Sequence, residues 1–377
     1  MPSRDVILVD AVRTPIGRGK PGGALSQIHP VDLLARTLDA LINRVGLDKA
    51  EVEDVVAGCV TPLGEQGACI GRLAALKAGF PISTPGYQLN RFCGSSQQAI
   101  HSASQAIAAG DMDIVIACGV ESMSRVPMGS DYQFDEAFRA GFPYELVHQG
   151  QSAEMLVDKW NLSRQELDDF AARSHQLAAL AEASGQTAAE RFKMAELALD
   201  EGVRVQLDRA RMGTLPTVFK QNGCVTAGNS SQISDGAAAV LLMSREKAEA
   251  LGLRMRARIL TRVAVGTDPV LMLTGPIDAT KKALARAGLN AMDIGAYEIN
   301  EAFASVVLGW RKEIGAPIEK VNRQGGAIAH GHPLGATGAV LMTKLVNILE
   351  STGERYGLQA MCIGYGMGTA TIIERQG

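Results

Sequence analysis

A chain of 377 residues is long enough for two or three domains, and its 46% hydrophobic residues, 20% charged residues and 41 glycines suit tightly wound α/β layers better than disordered or coiled-coil sequence. A formal net charge of −3 and a pI near 6.1 leave no overall electropositive field of the kind that holds nucleic acid or an acidic membrane, so an anionic ligand has to be met locally. The six cysteines (59, 69, 93, 118, 224 and 362) show no Cys-x-x-Cys pair or framework spacing and read as free thiols.

In chain order, Met1 to Asp10 turns apolar for only a few residues, too few for a signal-peptide core or a membrane span, which points to a cytoplasmic protein. Gly17-Arg-Gly-Lys-Pro-Gly-Gly23 is a phosphate-loop lookalike without a Lys-Ser/Thr pair entering a helix, and reads as a surface loop. A helical run from Asp32 to Val45 leads into Gly46-Leu-Asp-Lys-Ala-Glu-Val-Glu-Asp-Val-Val-Ala-Gly58. That segment resembles Gly288 to Asn300, itself preceded by a helical run from Asp278 to Ala287. The same displacement carries Cys93-Gly-Ser-Ser-Gln-Gln-Ala-Ile100 onto Gly335-Ala-Thr-Gly-Ala-Val-Leu-Met342, and a slightly larger one carries Ile114 to Gly119 onto Leu358 to Gly364. A weak internal duplication is the simplest account, each half reading strand, helix, strand, turn, helix, strand. The predicted division is 1–119 plus 235–255 for the first half, 256–377 for the second, and 120–234 as a loop domain over the site. Within that insert Ser163-Arg-Gln-Glu166 is a capping box opening a helix through Leu167, Phe170, Ala171 and Ser174.

Four segments carry chemistry. Cys93 stands at a small-residue turn opening into a helix, where the dipole and free N–H groups favour thiolate over thiol; a buried inert cysteine would look the same. Gly325-Gly-Ala-Ile-Ala-His330-Gly-His332-Pro-Leu-Gly335 presents two imidazoles, either of which could be a base; by spacing they could also be paired metal ligands, but no cysteine, histidine and carboxylate cluster completes such a site nearby. Met361-Cys362-Ile-Gly364-Tyr-Gly366-Met-Gly368 places a cysteine at a strand end before alternating glycines, without the spacing of a dinucleotide site. Asn300-Glu-Ala-Phe303 closes an apolar strand and alone could be a helix cap.

Taken in chain order the four segments resemble the thiolase family, with its Asn-x-x-Cys-x-Ser, Asn-Glu-Ala-Phe, Gly-His-Pro-x-Gly-Ala and late Cys-x-Gly motifs; Gly228-Asn-Ser-Ser231 and Ser234-Asp-Gly-Ala-Ala-Ala239 extend the likeness over essentially the whole chain. The resemblance implies an α/β fold with a duplicated core layered α-β-α-β-α, and an acyltransferase that cleaves 3-ketoacyl-CoA to acetyl-CoA and a shortened acyl-CoA, or runs the reverse condensation. It further implies Cys93 as nucleophile, His332 as base, Cys362 as the second, acid/base cysteine, and Asn300 with His332 around one thioester oxygen. The backbone N–H groups of Cys93 and Gly364 would form a second oxyanion site. Coenzyme A would be a substrate with no permanently bound cofactor, lying along Ser231 and Ala227, with His148 and Arg204 nearer the pocket wall and nucleotide. A homodimer or homotetramer is implied likewise. Tyr365, where glycine is usual, and Ser96, where glycine is common, depart from the pattern, and the insert looks shorter than in acetoacetyl-forming relatives. A ketoacyl synthase-type enzyme would pair its cysteine with two histidines, or with a histidine and an asparagine, and would lack the late cysteine. A non-catalytic scaffold relative would have lost a reactive residue, and the sterol-carrier type replaces Asn-Glu-Ala-Phe.

Overall fold

The computed structural model describes residues 4–377, so Met1, Pro2 and Ser3 lie outside it. Strands β1 (Val6–Arg13) and β2 (Gly17–Arg18) precede α1 (Pro30–Val45), β3 (Asp54–Gly58), α2 (Ile70–Lys77), β4 (Gly86–Leu89), α3 (Ser95–Ala109) and β5 (Ile114–Ser122). A long excursion then holds α4 (Glu136–Gly141), α5 (Gln149–Trp160), α6 (Arg164–Ala183) and α7 (Arg209–Gly213) before β6 (Ser234–Ser244), α8 (Arg245–Ala250) and β7 (Ala257–Gly266). The chain finishes with α9 (Gly275–Ala287), β8 (Ala296–Ile299), α10 (Ala304–Ile314), α11 (Ala327–His330), α12 (Thr337–Thr352), β9 (Tyr356–Ile363) and β10 (Met367–Arg375).

Gly46 and Gly288, matched in sequence, do the same work: each ends a helix (α1, α9) with a left-handed residue at φ 71° and 66°, where a Cβ would be strained. Each helix also carries proline in its first turn, where no N–H is missed. The repeat extends to topology. The strands run β4-β3-β5-β6-β1-β7-β10-β9-β8, with β2 beside β6. In the first half β3 and β5 are parallel while β6 and β1 add antiparallel; in the second, β8 and β9 are parallel while β10 and β7 add antiparallel. The halves meet where β1 pairs with β7 through Ile7↔Arg258 and Leu8↔Ala257.

Three apolar clusters fill the layers. Leu33, Leu34, Leu38 and Leu41 of α1 pack on Ile114, Ile116 and Leu241 at one outer face. Ile100 and Ile107 of α3 meet Val340 and Leu345 of α12 between the half-sheets, against Val115, Val240 and Ile373. Ile277 and Leu284 of α9 and Trp310 of α10 cover the other face with Phe170 of α6. Helix, sheet, helix, sheet, helix is the resulting order. Strands β5 and β6 are covered on both faces and their sequences, Ile-Val-Ile-Ala-Cys and Ala-Ala-Ala-Val-Leu-Leu, are accordingly continuous rather than alternating. At roughly 1.5–3 kcal/mol per buried large aliphatic side chain, these clusters are the main favourable contribution to folding.

The halves also cross as backbone. A Cβ on Gly119 would lie 2.1 Å from the Gly335 carbonyl oxygen, so only hydrogen fits there. Beside the crossing, the fully buried Glu121 accepts from the N–H groups of Val60 (2.9 Å) and Gly335 (2.8 Å) on one oxygen, and from Thr61 N–H (3.1 Å) and Gln66 Nε2 (2.8 Å) on the other. Ser96 Oγ accepts from Ala339 N–H at 2.9 Å, so this departure from glycine ties α3 to α12 rather than facing the cleft. Replacing Glu121 by Gln turns a donor group toward two N–H donors. Glu121→Gln is expected to lower the unfolding free energy by about 3 kcal/mol in urea titration; a loss below about half a kcal/mol would show that the four bonds are dispensable.

Candidate active site

Asn90 builds the turn that presents Cys93: its Oδ1 accepts Phe92 N–H at 2.7 Å and its Nδ2 donates to Val60 O at 2.8 Å. Phe92, at φ 44°, reverses the chain, and Ser95 Oγ closes the turn by accepting Arg91 N–H and donating to Phe92 O. Helix α3 begins only at Ser95, capped by Gly94, so Cys93 stands just before the helix rather than within its first turn. Its side chain packs with Val60, Met123, Leu334, Leu341 and Met361. The sequence expectation of a favoured thiolate is corrected here. Burial among apolar groups pushes the Cys93 thiol up to about 12, outweighing the opposing effect of its own N–H and of the Gln149 amide.

His332 sits 4% exposed on the loop after α11. Its backbone N–H reaches Gln232 O and Ser234 Oγ, both at 3.1 Å, and Gln232 Nε2 binds the carbonyls of Gly202, Ile328 and Ala329. The segment after Gly228 therefore stitches the histidine loop in place. The Thr337 hydroxyl donates to Pro333 O at 2.8 Å and so can only accept from His332 Nδ1 at 2.6 Å. Nδ1 thus carries the proton and Nε2 is left as an acceptor, facing Asn300 Nδ2 at 3.3 Å. Burial brings the imidazole down to about 4, so it is neutral at ordinary pH.

His330 is placed quite differently. Its Nδ1 meets Asp200 Oδ2 and its Nε2 meets Gln324 O, both at 2.7 Å, so both ring nitrogens face acceptor oxygens. Asp200 is also held by Arg13 at 2.8 and 3.0 Å, which binds Glu190 as well. The Arg13 guanidinium and His330 hold the Asp200 carboxyl well below its usual range against the opposing effect of burial. This buried cluster pins the excursion to the core.

A cleft of about 360 Å³ joins the candidate residues: Cys93, His332 and Gly364 line it with Phe92, Tyr365, Ser231 and His148. Cys362 and Asn300 lie behind that wall, 1% and 0% exposed. Burial, and next the nearby Cys93 charge, push the Cys362 thiol above its ordinary value, so the two thiols resist ionising together. Ser231 donates its N–H to Ala302 O at 2.9 Å, and His148 caps α5 and stacks on Phe219 at 5.0 Å. Ala227 and Arg204 line an adjoining hollow with Gln206 and Arg211, not the main cleft. Lys220 is paired with Asp158 at 2.8 Å. Tyr365 holds φ 58° with its ring edge-on to Phe92 at 5.4 Å. Sequence reasoning missed Gln149, which also lines the cleft; nothing near it in sequence separates it from an ordinary helix-start glutamine.

A buried cysteine, a neutral buried histidine with a free Nε2 and a second buried thiol beside the first define an acyl-transfer enzyme that works through a covalent thioester. Models of the thiolase N-terminal and C-terminal domains match residues 6–246 and 253–375, and the chain belongs to the thiolase family. It is 46% identical to a steroid 3-ketoacyl-CoA thiolase of Mycobacterium tuberculosis, over 98% of this chain and 94% of that one. It is 44% identical to a 3-ketoacyl-CoA thiolase of Pectobacterium carotovorum, over 98% and 99%. Among solved structures, acetyl-CoA acetyltransferase of Bacillus anthracis superposes with TM-score 0.91 at 36% identity over 100% of both chains. Human mitochondrial 3-ketoacyl-CoA thiolase does so with 0.91 at 33% over 99% of both.

The two histidines separate by experiment. His332→Ala is expected to cut thiolytic turnover by roughly 10²–10⁴-fold with folding intact. His330→Ala is expected to retain acyl transfer while losing about 3 kcal/mol of stability in urea titration, since it strips a partner from buried Asp200. Equal, severe activity losses in two well-folded variants would place His330 in the chemistry.

Proposed function

We propose that the cleft cleaves 3-ketoacyl-CoA by thiolysis, with Cys93 as the acyl-carrying nucleophile. The observation carrying this reading is that Cys93, His332 and Gly364 line one cleft while the Cys362 thiol stands close enough to feel the charge on Cys93. His332 Nε2 takes the proton from Cys93, and the thiolate attacks the C3 carbonyl. The C2–C3 bond then breaks, its electron pair leaving as the acetyl-CoA enolate. Cys362, kept protonated while Cys93 was the thiolate, gives its proton to C2 once Cys93 is acylated. Incoming coenzyme A yields its thiol proton to the Cys362 thiolate and attacks the acyl-cysteine; Cys93 leaves and recovers its proton from His332. The reverse sequence is the condensation.

Protonation also changes what His332 offers. With Nε2 protonated it no longer accepts from Asn300, so both groups turn N–H toward the thioester oxygen of the enolate. The N–H groups of Cys93 and Gly364 serve the oxyanion at C3; each well-aimed donor contributes about 3 kcal/mol. Coenzyme A is a substrate, with no bound cofactor required. Ser231 and His148 in the cleft support a pantetheine path there, and Ala227 and Arg204, with Arg211 nearby, support a nucleotide end in the adjoining hollow. Residues 120–234 form the cover, between a first half of 1–119 plus 235–255 and a second of 256–377. A cytoplasmic homodimer or homotetramer completes the reading. Tyr365, Tyr132, Phe92 and Met128 line the cleft as flat apolar walls, which favours an acyl group of some bulk over a bare acetyl group.

Brief incubation with a 3-ketoacyl-CoA is expected to leave an acyl adduct on the Cys93 peptide, read by mass spectrometry, and Cys93→Ser to lower turnover by roughly three orders of magnitude or more. An adduct confined to Cys362 would reverse the two roles.

A further inference from the structure

Raising a cysteine to about 12 and bringing its base down to about 4 makes proton transfer between them steeply uphill. Something at the site must favour the thiolate as it forms. The backbone N–H groups of Cys93 and Gly364 are assigned to the acyl oxygen, and His332 is charged only once the transfer has happened. One further side chain remains. Gln149 lines the cleft with Cys93 and Gly364, and its Nε2 lies 3.5 Å from where a Cβ on Gly364 would stand, with Phe92 equally close on that same position. The carboxamide therefore lies over the Gly364 turn, on the cleft that Cys93 also lines.

Its support is rigid. Gln149 is the first residue of α5, whose start is fixed by the reciprocal His148 and Gln151 capping box. Ser152 Oγ donates to Val270 O at 2.7 Å, and the Glu154 carboxylate accepts from the N–H groups of Cys224 and Val225 at 2.8 to 3.0 Å. No hydrogen bond engages the Gln149 carboxamide among the described residues, while its neighbours His148 and Gln151 are used in the cap. A half-buried amide, held on a capped helix and left otherwise unengaged, is available to the reacting atoms.

We propose that Gln149 is a catalytic residue that donates an Nε2–H bond to the Cys93 sulfur as the thiolate forms, in both acyl-enzyme formation and acyl-enzyme breakdown, when the same sulfur leaves. This rests on Cys93 being the nucleophile. The bond costs little against the neutral thiol and strengthens as charge develops, which is the condition for lowering a barrier rather than only improving binding. A donor contributing a charge-assisted bond changes a rate by roughly ten- to a hundredfold.

The test compares native protein with Gln149→Met and Gln149→Glu. Each is treated with iodoacetamide between pH 6 and 9, and Cys93 alkylation is followed by peptide mass spectrometry, alongside kcat and KM for thiolysis. Native alkylation is expected to be fastest, Gln149→Met about tenfold slower, and Gln149→Glu slower still, because a carboxylate faces the sulfur; kcat is expected to follow the same order with KM changed less. If Gln149 only fills space, the isosteric Glu variant will resemble native more than Met does, and that order would overturn the proposal, as would equal rates in all three. Acylation of native protein at a residue other than Cys93 would sink the underlying reading instead, and the two failures are told apart by which peptide carries the label.

Discussion

The buried carboxylate of Glu121 is the point on which the site depends. Its four accepted hydrogen bonds reach Val60 and Thr61 after β3, Gln66 beyond them, and Gly335 after the histidine loop. Val60 is also the anchor for Asn90, which shapes the turn before Cys93. One carboxylate thus fixes the separation of the loop that carries Cys93 from the loop that carries His332. Burial alone pushes the Glu121 carboxyl upward, and the N–H donors oppose that. The glycines at the crossing let the carbonyl of Gly335 approach closely enough for this to happen.

A site assembled so deep has an electrostatic consequence. Removal from water disfavours every charged form, lifting both thiols and lowering the imidazole, so the resting state is neutral. Charge appears only during reaction, where dipoles already in place meet it without reorganisation. Mutual repulsion between the two sulfurs then disfavours two thiolates at once, in keeping with the separate roles proposed for Cys93 and Cys362. His330 shows the contrasting use of burial: surrounded by acceptors and salt-bridged to Asp200, its ring serves as a clamp.

Local features of the fold were legible in sequence. The glycine ends of α1 and α9, the capping box at Ser163 and the matched segments Gly46 to Gly58 and Gly288 to Asn300 each depend on residues close together in the chain. The candidate site was legible as motifs, because its residues cluster at turns whose geometry demands particular neighbours. What sequence could not supply was environment. The helix-start argument favoured a Cys93 thiolate, but the apolar packing from Leu334, Leu341 and Met361 comes from more than 240 residues away in the chain and reverses the sign. The pairing of His330 with Asp200 and the placement of Gln149 beside Gly364 are likewise tertiary. Ala227 and Arg204, grouped with Ser231 and His148 in the sequence reading, fall in a neighbouring hollow with Gln206 and Arg211, although Phe219 between them in the chain returns to the cleft.

Two buried thiols are proposed to divide the chemistry, Cys93 carrying the acyl group and Cys362 moving the proton at C2. Cys362→Ala, supplied with acetyl-CoA in deuterated buffer, separates these directly. The variant is expected still to acetylate at Cys93 but neither to condense two acetyl-CoA molecules nor to exchange the acetyl methyl protons of acetyl-CoA for deuterium, an exchange expected of the native enzyme. Exchange at the native rate in that variant would contradict this division.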